Sequence, residues 1–486
     1  MVFPSKEQYL AEAKSFTIIP VFKEVMADFE TPLSIFHKTG AKFLLESIER
    51  GENVGRFSMV GLGRKCTIAL NGQSVEITEN RAGRPVVVLK ERLKNPLEAV
   101  RQYFSGCKAP VYENLPPFYG GAIGYLGYET TSYFEDIPVL NDGTGIPDGL
   151  LVIPEVLLIY DSVKRSLFVI VSTSPGETAL KEYERALARI EDILTLLSRP
   201  LNLREKRKSQ TKILIKPDLE KEEFLKRVNR CQEYISQGEI IQVVVSQKFT
   251  ARTEASPFEI YQKLRIINPS PYLFFLDFDN FSLIGSSPEV MVRVQNRELL
   301  TRPIAGTRKR GASLTEDHQL ASSLLADPKE RAEHIMLVDL ARNDLGRVAR
   351  PGSVEVNDFM SVEKYSHVMH LVSTVKAELD EKYDVFDVIQ AAFPAGTLTG
   401  APKIRAMEII SEMEKSKRGP YGGMVFYLGF NGNFDSCITI RTILLKDGQA
   451  TIQAGAGIVA GSVAEKEYEE TINKAAALVK TLEDTN

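Results

Sequence analysis

The feature that most constrains this chain is a set of turn dipeptides, each lying between apolar, β-rich runs. Asn71-Gly72 separates CTIAL from QSVEIT, Asp279-Asn280 separates LFFLDF from FSLIG, Asn431-Gly432 separates MVFYLGF from NFDSCITI, and Asp447-Gly448 separates ITIRTILLK from QATIQAG. Asn, Asp and Gly supply the positive φ that tight hairpin turns need, so the strands they join run antiparallel. The regular strand–helix alternation of a doubly wound parallel sheet is not seen. Helices interrupt the strands. Asp218 is placed to cap one whose apolar stripe is Phe224, Val228, Cys231 and Ile235 and which Gly238 ends. Asp327, with Pro328 at the first helical position and Glu330 at the reciprocal capping site, opens another, and Ser462 with Glu465 opens the last. The expected class is α+β.

The chain has 486 residues, 43% hydrophobic and 26% charged, which is material for large packed domains and excludes a disordered or disulfide-scaffold protein. A net charge of −4 makes nucleic acid an unexpected partner. There is no apolar run long enough to span a membrane, and MVFPSKEQYLAEAK lacks the apolar core of a signal peptide, so a cytoplasmic protein with no membrane partner is expected. Cys66, Cys107, Cys231 and Cys437 are scattered and read as free thiols, and the five histidines show no zinc-site spacing. The sharpest shift in composition falls within SRPLNLREKRKSQTKILIKPD. Its residues 201–218 read as a basic surface linker between an N-terminal domain, 1–200, and a C-terminal domain, 219–486.

Several segments could carry chemistry. The run from Gln453 to Gly461 holds Gly455, Gly457 and Gly461, a spacing that is not GxGxxG, and only one helix follows it, so no dinucleotide-binding unit can be completed. It is either bare backbone for an anion or a tight turn. In the helix beyond, Glu467, Glu470 and Lys474 share one face, either as solvated ion pairs or as half of a site for a hard divalent cation. Glu333 lies on an apolar stripe with Met336, Leu337 and Leu340, where an unpaired carboxylate is costly. A metal ion shared with the acidic face of the last helix would relieve that cost. The loops Thr301–Arg308 and Pro394–Lys403 combine Gly, Pro and hydroxyl residues, as functional loops and structural turns both do.

PIAGTRKRG, AEHIMLVDLARNDLGR, PGSVEV, YSHVMHLVS, PAGTLTGAPKIRAMEII, RGPYGG, ITIRT, QAGAGIVAGS and the terminal ExxETxNKA resemble the motifs of the chorismate-utilising enzymes, and among these the component I family of anthranilate synthases. FLLESIERGENVGRFSMVG resembles that family's feedback segment. The resemblance implies antiparallel sheets forming a sandwich flanked by helices. It implies Mg²⁺ held by Glu333 and Glu470, with Glu467 as a further ligand, and chorismate held by Gly306, Thr307, Tyr421, Arg441, Gly455, Ala456, Gly457 and Lys474. His370 resembles the histidine of the elimination step, Glu289 the acid that protonates the departing C4 hydroxyl, and Thr397 a supporting hydroxyl. Ser47, Pro271, Tyr272 and Leu273 resemble an inhibitory tryptophan pocket. The implied reaction joins chorismate and ammonia to give anthranilate and pyruvate, the first step of tryptophan biosynthesis. The implied partner is a glutamine amidotransferase subunit, in an assembly of two large and two small subunits. The chain itself offers no glutaminase elbow; Gly106-Cys107-Lys108 is the nearest approach.

Two positions sort the relatives. Gln242 stands where isochorismate and salicylate synthases carry a lysine base, and Ala305 in PIAGT stands where aminodeoxychorismate synthases typically carry a nucleophilic lysine. Aminodeoxychorismate synthase component I and a tryptophan sensor with a decayed enzyme site remain the alternatives.

Overall fold

The computed structural model describes residues 1–47, 55–81, 83–140, 145–201, 213–364 and 368–485. Part of the feedback segment (48–54), most of the basic stretch (202–212) and the YSH of YSHVMHLVS (365–367) lie outside the described residues.

Among the described residues two large sheets, of 13 and 12 strands, face each other, and every pairing between their strands is antiparallel. The four turn dipeptides close hairpins where expected, with Asn71 opposite Ser74, Asp277 opposite Ser282, Leu428 opposite Phe434, and Lys446 opposite Gln449. Gly72, Asp279, Gly432, Asp447 and Gly448 all take positive φ, between 51° and 79°.

Period-two alternation explains the layering. In the strand Tyr272–Asp277, Phe274 and Leu276 point into the core between the sheets, with Phe43, Ile123, Ile159 and Val425. Leu273 and Phe275 point to the opposite face, against helices. The helices Lys6–Glu12, Pro32–Thr39, Ala179–Leu197, Pro257–Ile267 and Ala464–Thr485 cover that outer face. Leu97–Ser105, Pro328–Gly346 and Val385–Ala392 cover the outer face of the second sheet. The result is a sandwich of two sheets between two helical layers, an α+β fold. Chain on either side of the basic stretch builds both sheets: Phe43–Glu46 pairs with Tyr272–Asp277 in one, and Gly121–Leu126 with Met424–Gly429 in the other.

The helix starts are partly corrected. Asp327 caps Pro328–Gly346 through the N–H groups of Lys329 and Glu330, as expected, but the Glu330 carboxylate accepts from Arg308 instead of closing a capping box. Asp218 is not a cap: its carboxylate accepts from the Lys248 N–H beside the strand pair Lys216–Pro217, and the helix Lys221–Ser236 begins after Glu220. The Ser462 hydroxyl accepts from the Val459 N–H and lies against Glu467, so no capping box with Glu465 opens the last helix. All four cysteines are free.

Candidate active site

The site is floored by the strands Gln242–Arg252 and Gln449–Ile458, in which Ser246 faces Gly455 and Val244 faces Gly457. A Cβ on Gly455 would stand 2.7 Å from the Tyr421 hydroxyl, and one on Gly457 2.7 Å from Gln242 Nε2, so only bare backbone fits beneath these side chains. Ala456, between them, turns its methyl into the core with Val243 and Ile458. The Lys474 ammonium donates to the Gly455 carbonyl at 3.0 Å and to the Glu470 carboxylate at 2.6 Å. Arg441 donates to the Lys474 carbonyl and holds a left-handed backbone, φ 51°. A non-glycine residue there costs on the order of 1–2 kcal/mol, a strain typical of sites where geometry is imposed. Its guanidinium is buried, which lowers its pKa, and lies within range of Tyr421 and Glu470.

A second wall is the bulged pair of strands Ile304–Lys309 and Val368–Glu378. Gly306 sits at the bulge with φ 64°, where a Cβ would press on Glu330 and Leu324. Thr307 faces His370 across the register. His370 Nδ1 lies 2.9 Å from the Gly306 carbonyl and 3.1 Å from the Thr307 hydroxyl. Burial lowers the His370 pKa, and the Arg441 charge lowers it further. The Gly306 hydrogen bond opposes that shift, and a proton on Nδ1 faces a carbonyl that can only accept.

Glu289 closes a third side. It is 9% exposed, and burial pushes its pKa up to about 7, against the opposing pull of the Thr397 hydroxyl and the Lys474 ammonium. Behind it a cavity of about 50 Å³ is lined by Glu289, Thr301, Leu340, Asp344, Gly396 and Thr397, room for a small molecule of water or ammonia size but not for a ring.

The helix Pro328–Gly346 brings Glu333 to the same place. It is fixed to the His370 strand by the fully buried His334, whose Nε2 shares a 2.6 Å hydrogen bond with the Ser373 hydroxyl. Burial raises the pKa of Glu333, and the charges of Glu330 and Glu470 raise it further. Glu467 is likewise raised by burial and by Glu470. Acids from two helices about 135 positions apart thus feel one another's charge, with Lys329 and Lys474 opposing. Among the described residues no three acids, histidines or cysteines form a closed metal cage. Glu333, Glu467 and Glu470 are hard oxygen donors of the kind a divalent cation such as Mg²⁺ takes, and Glu470 is paired with Lys474.

The four effector candidates meet in a separate place. Leu273 faces Glu46, so Ser47, next in the chain, lies beside Tyr272 and Pro271. The Ser47 hydroxyl is buried without a partner. Next to it Glu46, 5% exposed, accepts from Tyr261 and Arg265.

The structure therefore gathers Glu289, Thr397, Gly306, Thr307, His370, Tyr421, the Gly455–Gly457 backbone, Glu333, Glu467 and Glu470 around Lys474 and Arg441. Sequence reasoning passed over His334, hidden in AEH beside the more conspicuous Glu333, and Arg418, quoted only as a letter of RGPYGG.

Two cations, a carboxyl raised by burial and neighbouring acids thus sit together on a two-sheet sandwich. The sequence profile described as chorismate binding enzyme matches residues 40–480, and the chain belongs to that family. Its relatives along the whole length include anthranilate synthase component 1 of Acetivibrio thermocellus, 44% identical and covering 100% of this chain and 99% of that protein. Anthranilate synthase component 1 of Aquifex aeolicus is 45% identical, with 99% and 97% covered. Among solved structures, anthranilate synthase component I of Streptococcus pneumoniae superposes with a TM-score of 0.78 at 37% identity, over 89% of this chain and 93% of that one. The menaquinone-specific isochorismate synthase of Escherichia coli shares the fold, with a TM-score of 0.72 at 20% identity over 98% of each chain. No helix among the described residues is long and apolar enough to cross a membrane.

Proposed function

We propose that the chain is the large subunit of an anthranilate synthase, converting chorismate and ammonia to anthranilate and pyruvate. The observation that carries this reading is the convergence of a carboxyl with a pKa near 7, Glu289, on Lys474, Arg441 and the bare backbone at Gly455–Gly457. Chorismate carries two carboxylates, and the two cations with backbone donors offset them. Glu333 and Glu470, with Glu467, would hold Mg²⁺, which when bound positions the ring carboxylate and offsets its charge. Ammonia adds at C2 while the C4 hydroxyl departs as water, taking the proton that Glu289 carries below its raised pKa. Loss of pyruvate then requires removal of the C2 proton, the step assigned to His370, whose Nδ1 is turned to the Gly306 carbonyl. Gln242 beside Gly457 has no side-chain basicity with which to activate water, which favours ammonia over water as nucleophile. Ala305 offers no amine for covalent capture.

Ammonia comes from glutamine through a partner glutamine amidotransferase subunit, in an assembly of two large and two small chains. Tryptophan binds at Ser47, Pro271, Tyr272 and Leu273 and inhibits. The test compares nitrogen donors. The purified chain with Mg²⁺ and chorismate produces fluorescent anthranilate from ammonium, and from glutamine only after the amidotransferase is added. Equal use of glutamine by the single chain contradicts the partner. Tryptophan binding without anthranilate from either donor contradicts the enzyme.

A further inference from the structure

Arg418 lies beneath the site and touches none of the groups placed on substrate except one ring face. It is 3% exposed and its partner Glu414 is 5% exposed. Its guanidinium makes four hydrogen bonds. Nε donates to Glu414 Oε2 at 2.8 Å, and Nη2 to Glu414 Oε1 at 2.8 Å. Nη1 donates to the Leu398 carbonyl at 2.7 Å, and Nη2 also to the Val244 carbonyl at 2.8 Å. Each acceptor belongs to a segment of the site. Leu398 follows Thr397, and Val244 faces Gly457. Glu414 in turn accepts from the N–H and hydroxyl of Ser246, at 2.8 and 2.7 Å, and Ser246 faces Gly455. The guanidinium also lies 5.6 Å from the centre of the Tyr421 ring, whose hydroxyl reaches the Gly455 backbone. The approach to Tyr421 is clamped from the other half of the chain: Glu129 accepts from the N–H groups of Arg418 and Gly419, at 2.7 and 3.0 Å.

We propose that Arg418, held by Glu414, is a positioning residue for the chorismate site. It sets the Thr397 loop, the Tyr421 ring and the Gly455–Gly457 strand at fixed mutual distances. Stability alone gives little reason to bury this pair, because well-packed apolar residues of similar volume do as well or better. What apolar residues lack is the planar fork that ties two backbone carbonyls and a carboxylate at once, and a lysine, a point charge with three donors, lacks that fork too.

The inference rests on chorismate being the substrate, which wild-type turnover tests separately in the same assay. Two variants are measured by thermal unfolding and by chorismate kinetics with ammonium and Mg²⁺. In the double variant Glu414→Leu/Arg418→Met the pair is replaced by apolar bulk, and Arg418→Lys keeps the charge but loses the fork. The expected result is a folded protein in at least one variant, with kcat/KM reduced about a hundredfold, the cost of misplacement on the ångström scale, and with a clear rise in the KM for chorismate. A purely structural pair would lower kcat in proportion to the unfolded fraction and leave KM unchanged. Wild-type KM and kcat per folded molecule in either variant overturns the inference. Failure of both variants to fold overturns it too, since the pair would then serve the fold itself. An inactive wild-type chain instead overturns the substrate reading.

Discussion

Tyr272 sits opposite Ser287 in the antiparallel register of Tyr272–Asp277 and Ser282–Ser287, and Glu289 stands two residues beyond Ser287. The Tyr272 hydroxyl donates to Asp435 at 2.9 Å, and Arg293 donates to the same carboxylate at 3.1 Å. Arg293 lies on the strand that leaves Glu289, and the Glu289 carbonyl accepts from Ile438 N–H at 3.0 Å on the strand of Asp435. Ser286, next to Ser287, donates its N–H to the Arg441 carbonyl at 3.1 Å. If tryptophan binds at Tyr272 as proposed, a shift of that residue reaches the strand that leads to Glu289 and the Arg441 backbone, which would let effector and substrate oppose one another.

Removing the Ser47 hydroxyl tests the effector end. Because that hydroxyl is buried without a partner, Ser47→Ala leaves the melting temperature of the free chain unchanged or slightly raised. If tryptophan fills the missing bond, its inhibition weakens by roughly 2- to 10-fold, the worth of one hydrogen bond. Inhibition curves at fixed chorismate give the answer, and an unchanged midpoint places the effector elsewhere.

Glu289→Gln should cost about 10²- to 10⁴-fold in kcat, the usual worth of a positioned general acid. In the wild type the group with a pKa of about 7 must be protonated to act, so kcat/KM falls as pH rises through about 7, and the variant loses that limb. A limb that persists unchanged in Glu289→Gln belongs to another group.

Glu333→Gln and Glu470→Gln each replace a hard anionic oxygen with a neutral amide. Both variants should need far more Mg²⁺ to reach half-maximal rate, and both should lower the maximum. Glu470→Gln also releases Lys474 from its 2.6 Å pair. Wild-type Mg²⁺ titrations in both variants would exclude these residues as ligands.

Glu129 gives a prediction about stability. Burial raises its pKa to about 7, above the ordinary 4.5, so the folded chain holds this proton more tightly than the unfolded chain does. Its contribution is complete below about pH 4.5 and is lost as pH rises toward 7, up to about 3 kcal/mol. Glu129→Gln should therefore flatten the fall in unfolding free energy between pH 5 and 7.5, measured by urea denaturation. An equally steep fall in the variant assigns the titration to other buried acids.

Much of this fold was legible because its signals are local. The turn dipeptides need positive φ within two residues, and the run Leu273–Leu276 is apolar at every position because it is buried on both faces. Glu333 stood out because a carboxylate on an apolar stripe calls for a partner, and the structure puts it within range of the Glu470 charge. The caps at Asp218 and Ser462 misled because a short polar side chain next to a helix can equally serve a neighbouring strand or acid, and only tertiary contacts decide. The convergence of Glu289 with Lys474, 185 positions away, has no local signature and was reached only through family resemblance. Arg418 escaped because nothing in a single sequence tells a buried guanidinium from a surface one.

The most direct measurement is the product balance from chorismate, ammonium and Mg²⁺ with the purified chain. The account predicts anthranilate and pyruvate released in equal amounts, matching the chorismate consumed. An amino-chorismate that keeps its enolpyruvyl group, or isochorismate with no nitrogen incorporated, would contradict it.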